Sequence, residues 1–255
     1  MVTISPTPTF LEGYWQDGFK LKQHLQEFLK LDASAIAEKL QNCRDDLANL
    51  GNTDFDWEEA TAFYKDKVGE MYLFKLGTWH LESQDYIGGT LKLIADQARG
   101  RVLDFGGGIG THAIGAAMCP NVEQVVYCDI NPINRGFVEY RANQLGLSHK
   151  ISFRSEITLE QTLKESLAGY FDTVLCFDVL EHLPDPSYQL MQFHKMLSAK
   201  GKIIVNWYFF KGFEHEHPIH LDDPEVVDTF FHTLQTNFLE VFQPHLITAR
   251  CYRKL

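Results

Sequence analysis

A short apolar run, Arg101–Phe105, leads into Gly106-Gly107-Gly108-Ile109-Gly110, then a helix-like stretch to Met118, then a second apolar run from Val122 that closes on Asp129. This unit constrains the fold more than any other part of the chain. Glycines at 106, 108 and 110 let the backbone turn sharply off a strand and leave room for a ligand to approach the main chain. An acid at the end of the following strand is where nucleotide-binding α/β proteins place the carboxylate that takes ribose hydroxyls. Strand, glycine turn, helix and strand in that order predict two parallel strands joined by a crossover helix.

The rhythm continues. Strands are expected at 151–154, 171–177 and 202–209, and helices at 131–145, 159–167, 187–198 and 224–236. The last two apolar runs, 238–242 and 247–252, have no helix between them and pair as an antiparallel hairpin across Gln243-Pro244-His245. The expected architecture is α/β: a doubly wound, seven-stranded, mostly parallel sheet with an antiparallel last strand. Before it, about 95 residues read as helices: Asp17–Lys30, a second capped by Asp32 or Ser34 and ending near Leu50, a third from Asp56 through Val68, and a fourth from Glu82 towards Ala98. The chain thus divides into a helical region, 1–95, and a Rossmann-like domain, 96–255.

Charge narrows the partners. Against 23 Lys and Arg stand 34 Asp and Glu, a net charge of −11 over 255 residues, the wrong sign for nonspecific nucleic-acid binding. Cys43, Cys119, Cys128, Cys176 and Cys251 are odd in number and widely spaced, with no C-x-x-C, which argues against a disulfide framework or structural zinc. No apolar run reaches the ~18 residues of a membrane span, and the first basic residue is Lys20, unlike a secretory signal. A cytoplasmic protein with no membrane or nucleic-acid partner is expected.

The motifs resemble those of the class I S-adenosylmethionine-dependent methyltransferases. Residues 104–110 match the D-x-G-x-G-x-G pattern, Cys128-Asp129-Ile130 the second motif, and Phe171–Pro186 (FDTVLCFDVLEHLPDP) the fourth-strand motif. The resemblance covers about 85–255 and implies S-adenosylmethionine as cofactor, with the helical region 1–95 outside it looking like the variable, substrate-binding cap. Asp104 would orient the glycine loop and approach the methionine ammonium, Gly106 and Gly108 would line the methionine part, and Gly110 completes the cofactor-binding turn. Asp129 would hold the ribose, Ile130 would pack on adenine, and Glu156 would lie near its amino group. Phe177, Asp178 and Val179 would border the reacting methyl.

Methyl transfer from a sulfonium is an in-line displacement in which the protein aligns, desolvates and accepts a proton from a protonated acceptor. The candidate bases are His182, after Glu181, and His215 and His217 in the Glu214–His220 run, which also carries His220. Tyr14, Trp15, Trp79, His80 and His220 are candidate acceptor contacts. The expected acceptor is a small molecule or short peptide, methylated on O or N rather than C. No metal is expected. The alternative is a set of Asp178, Glu181, His182 and His217, similar to the E-x-x-E-H plus distant His site of plant small-RNA 2′-O-methyltransferases. A nicotinamide-dependent oxidoreductase would want G-x-G-x-x-G and Y-x-x-x-K, which the sheet region lacks. A non-catalytic binding protein need not keep the glycine turn and Asp129.

Overall fold

The computed structural model describes residues 9–48, 61–156, 168–213, 217, 219–244 and 247–255, with side chains at 44–48 outside that description. The expected helix over 159–167, residues 56–60 of the third helix and His215 lie outside it.

The sheet domain follows the expected alternation. β1 (Gly100–Phe105), β2 (Val122–Cys128), β3 (Ile151–Arg154), β4 (Phe171–Cys176) and β5 (Leu197–Val205) are parallel. β6 (Phe238–Val241) and β7 (Arg250–Lys254) form the antiparallel hairpin, and β7 pairs antiparallel with β5. The order is β3-β2-β1-β4-β5-β7-β6. The direction of build reverses between β1 and β4, and ligands of open α/β sheets bind outside the strand carboxyl ends at such a point. Val102, Leu103, Val125, Val174, Leu175, Ile203 and Ile204 are fully or nearly fully buried, as β-branched and apolar runs covered on both faces must be.

In chain order the helices are α1 (Phe10–Asp17), α2 (Leu21–Leu29), α3 (Ala33–Ala48), α4 (Met71–Glu82), α5 (Gln84–Gln97), α6 (Thr111–Met118), α7 (Pro132–Gln144), α8 (Pro186–Met196) and α9 (Pro224–Asn237). Three expectations are corrected. The helix expected over 17–30 is broken, because Gly18, Phe19 and Lys20 all take left-handed φ angles of 60–63°. The expected Asp56–Val68 helix is, in its described part, a π-helical turn over Phe63–Lys67, and Gly69 at φ +51° separates it from α4, a helix the sequence reading did not separate from its neighbours. β5 begins at Leu197 rather than 202 and ends at Val205, because its ladder with β4 opens at the Phe171–Leu197 pair and closes at Cys176–Val205.

The helical segment shares cores with the sheet. Leu11 and Tyr14 of α1 join the cluster of α5, α6 and one sheet face. Leu21, Leu25, Ile36, Leu40, Leu73 and Phe74 from α2, α3 and α4 pack with Ile109 of the glycine turn and Phe137 of α7. Among the described residues no helix is long and apolar enough to cross a membrane.

Candidate functional site

The glycine turn is set by what surrounds it. At Gly106, φ is +70° and a Cβ would lie 2.3 Å from Val179 Cγ2, so both the backbone angle and the space demand glycine. The Tyr127 hydroxyl donates to the Gly108 carbonyl at 2.6 Å. Gly108 N–H donates to Asp129 Oδ2 at 2.9 Å and Asn131 N–H to Asp129 Oδ1 at 2.8 Å. One carboxylate at the end of β2 therefore ties the turn to the start of α7, where Asn131 caps the helix. Burial pushes Asp129 up to about 6, against the bonds from Asn131 and Gly108. Asp104 is buried at the end of β1; burial and then Asp129 push it up to about 7, and its Oδ2 has no hydrogen-bond partner. Ile130 stays 39% exposed beside Asp129, an apolar surface facing out next to a carboxylate.

The second wall rises from the carboxyl ends of β4 and β5. Phe177 lies against the His112 ring, centroids 4.2 Å apart, and His112 bonds the Thr90 hydroxyl at 2.9 Å. Asp178 sits at φ +53°, a strained angle for a side chain with a Cβ. Asn206, at the end of β5, compensates: its Oδ1 accepts from Asp178 N–H at 2.7 Å, and its Nδ2 donates to Asp178 Oδ1 at 2.6 Å and to Tyr86 Oη at 2.7 Å. The next turn, Leu180–His182, carries Glu181, 1% exposed, whose Oε2 is unpartnered. Burial pushes its carboxyl up to about 8, with Asp178 adding to the rise.

His182 has an unpartnered Nδ1, and burial, then His220, hold its ring down at about 3. Ligand atoms of Glu181, His182 and His220 lie within 4.8 Å of one another. His220 Nδ1–H donates to the Tyr208 carbonyl at 2.9 Å, leaving Nε2 as its lone-pair nitrogen. Of the alternative metal set, Glu181 and His182 come together here, joined by His220 rather than by Asp178 and His217, and these three donors would suit a divalent cation of borderline hardness; Asp178 is engaged by Asn206, and the exposed His217 stacks on His220 at 4.6 Å.

A roof comes from the helical segment. Tyr64 lies 5.7 Å from the His182 ring and 5.4 Å from Tyr72, and its carbonyl accepts from Asn131 Nδ2 at 2.9 Å. The Tyr72 hydroxyl is held well above its usual range by burial, then by Tyr64, Asp129, Asp178 and Glu181. It therefore stands among the acids of both walls. Leu76 of α4 comes within 3.0 Å of where a Gly108 Cβ would be.

The structure brings together Asp104, Gly106, Gly108, Gly110, Asp129, Ile130, Phe177, Asp178, Val179, His182 and His220 at the carboxyl edge of the sheet. Glu156 is exposed just past β3. Other expectations are corrected. Tyr14 is buried with its hydroxyl on the His80 carbonyl at 2.9 Å, so it packs α1 rather than facing the crevice. Trp15 lies over Gly88 on α5 with the Lys92 ammonium 5.0 Å from its ring. His80 is half-buried, its ring 5.8 Å from that of His112. Trp79 is not one of these corrections: it is 43% exposed, 6.3 Å from Tyr86. Asn206 and Tyr127 were not singled out for the site. The one signal for Asn206 is a lone amide in the apolar run 203–210.

Residues 79–218, more than half the chain, match the methyltransferase-domain family. The ubiquinone biosynthesis O-methyltransferase of Pseudomonas aeruginosa is 30% identical over 106 residues, covering 42% of this chain and 43% of the relative. That of Pseudomonas syringae pv. tomato is 31% identical over 112, covering 44% and 46%. The chain thus matches less than half the length of these relatives. Two solved structures from Burkholderia thailandensis share the fold. An O-methyltransferase family protein has a TM-score of 0.58 at 15% identity, covering 86% of this chain and 70% of that one. A 1,6-didemethyltoxoflavin-N1-methyltransferase, solved with S-adenosylhomocysteine, has a TM-score of 0.53 at 18% identity, covering 80% and 92%.

Proposed function

We propose an activity for this chain from the premise that it belongs to the class I S-adenosylmethionine-dependent methyltransferase family: methyl transfer to a hydroxyl oxygen of a small-molecule acceptor. The cofactor would supply an activated methyl on a sulfonium. The orphaned Asp104 Oδ2 and the side-chain-free turn at Gly106, Gly108 and Gly110 fit it. Asp104 takes the ammonium, Asp129 accepts from ribose hydroxyls with the lone pairs left by Gly108 and Asn131, Ile130 covers the adenine face, and Glu156 lies towards its edge. Phe177, Asp178 and Val179 border the reacting end.

The acceptor enters between the β4–β5 wall and the Tyr64–Tyr72 roof. We assign the cap role of residues 1–95 to this roof, and acceptor choice to it. Glu181 accepts the hydroxyl proton. The observation that carries this is a buried carboxyl with one unpartnered oxygen, pushed up to about 8, close to where a general base works best. His182, held near 3, is the weaker base; with His220 it orients the acceptor. Oxygen is favoured as target because the sequence relatives are named O-methyltransferases. The net charge of −11 favours a small acceptor over RNA, and five buried free thiols suit a reducing, cytoplasmic setting.

The test is incubation with S-adenosylmethionine and a panel of phenolic and aliphatic alcohols, reading methylated product and S-adenosylhomocysteine by mass spectrometry. Product from a hydroxyl acceptor, lost in Asp129→Ala, is expected. Cofactor binding without transfer to any acceptor on a broad O, N and C panel would overturn it.

A further inference from the structure

Arg141 of α7 is fully buried, yet its guanidinium donates to backbone oxygens rather than to a carboxylate. Its Nη1 donates to the Ile109 carbonyl at 2.7 Å, and its Nη2 to Gly18 at 2.8 Å and Phe19 at 3.3 Å. Two segments far apart in sequence thus share one guanidinium. One is the glycine turn. The other is the break between α1 and α2, where Gly18, Phe19 and Lys20 hold left-handed angles.

The geometry points to Arg141 as a positioning residue that couples the seating of the N-terminal helices to the cofactor turn, an inference that rests on the cofactor assignment above. Left-handed angles at Phe19 and Lys20 are costly and persist only where the surroundings over-determine them. Here the left-handed turn aims two carbonyls at a buried cation. A guanidinium taken out of water needs each of its acceptors, so a turn displaced from Ile109 or a loosened α1–α2 break leaves the charge under-solvated. The same two segments meet a second time through side chains, since Ile109 packs in one cluster with Leu21, Leu25 and Phe137. Each site therefore biases the other, and by linkage the bias is reciprocal. A cofactor that holds the glycine turn tightens α1 and α2, and a well-seated α1–α2 break raises cofactor affinity. Burial lowers Arg141 to about 9, which leaves it charged at neutral pH.

The experiment uses the whole chain, with S-adenosylhomocysteine as probe. Amide exchange over residues 10–31 is followed with and without it in wild type and Arg141→Lys, alongside calorimetric affinities. Lysine keeps the charge and loses the planar fork. In wild type the probe slows exchange over 10–31 several-fold. In Arg141→Lys affinity drops roughly tenfold, within the usual range of coupling energies, and at saturation exchange over 10–31 no longer responds. Gly18→Ala mis-sets the turn while leaving the guanidinium in place, and weakens binding likewise; it carries the test if Arg141→Lys does not fold. A purely structural arginine would lower thermal stability and leave the probe-dependent slowing intact, which overturns the inference, as does binding to wild type without any slowing. Failure of wild type to bind the probe overturns the cofactor assignment itself and this coupling with it.

Discussion

Burial and the neighbouring Asp129 push Asp104 up to about 7 from 3.8, so near neutrality the empty site holds a proton that a cationic ligand displaces. In the unfolded chain this carboxyl ionises near 3.8. The folded empty protein therefore loses stability as pH rises from about 4 to about 7, and stays lower above. Asp104→Asn removes the buried charge. At pH 8 it is expected to stabilise the empty protein by up to about 4 kcal/mol while weakening S-adenosylhomocysteine at least tenfold. Thermal scans and calorimetry check both, and calorimetry below pH 7 in two buffers of different ionisation enthalpy should show proton release on binding. Glu181 sets a second dependence. A base must be deprotonated, so kcat is expected to rise with pH through about 8. Glu181→Gln should lower kcat by about 10²–10⁴ and flatten that limb, whereas His182→Gln should leave the limb in place. A limb surviving Glu181→Gln would move the base elsewhere. Asp129 was legible from its spacing after the glycines and its place at a strand end, and Asp104 and Asp178 from the motif resemblance. Asn206 and Arg141 were not, since their roles exist only once β5 and the α1–α2 break come against the turn.

Strands were read well where β-branched and apolar residues run without interruption, as in 101–105 and 171–176, because burial on both faces leaves a continuous signal. Helices in the cap were read less well. Gly18 marks the end of α1, where Gly18 and Phe19 N–H close back onto the Tyr14 and Gly13 carbonyls and Lys20 N–H donates to Asp17 Oδ1 at 2.6 Å, but Phe19 and Lys20 themselves carry no mark of left-handed angles. α4 escaped because Gly77 lies in its middle, where it lets Leu25 and Leu40 approach. The same logic gives a test of the β1–α6 unit. Gly106→Ala meets both an angle of φ +70° and Val179 at 2.3 Å. It is expected to cost roughly 1–3 kcal/mol by denaturant unfolding and to reduce cofactor affinity. Adding Val179→Ala frees the space but not the angle, so the double variant should recover part of the loss. Full recovery would mean that sterics alone required glycine.

At the scale of the whole molecule, the acidity of the chain and the build of its site point to the same kind of acceptor. The crevice opens on a protein whose net charge is −11, and the carboxyls of Asp104 and Glu181 add negative charge there only as pH rises through about 7 and about 8, so at alkaline pH the field at the mouth repels anions. Exposed charges act over about a Debye length, roughly 10 Å at 0.1 M salt and 30 Å at 0.01 M. Long-range repulsion therefore alters encounter much more than chemistry. A neutral hydroxyl acceptor should then show a KM indifferent to salt between 10 and 200 mM. A carboxylated analogue of the same acceptor should show a KM that falls several-fold over that range as the repulsion is screened, with kcat unchanged. The opposite trend, a KM that rises with salt for the anionic analogue, would mean that a local cationic patch receives the acceptor. The acceptor entrance would then have to be sought outside the acidic crevice between the β4–β5 wall and α4.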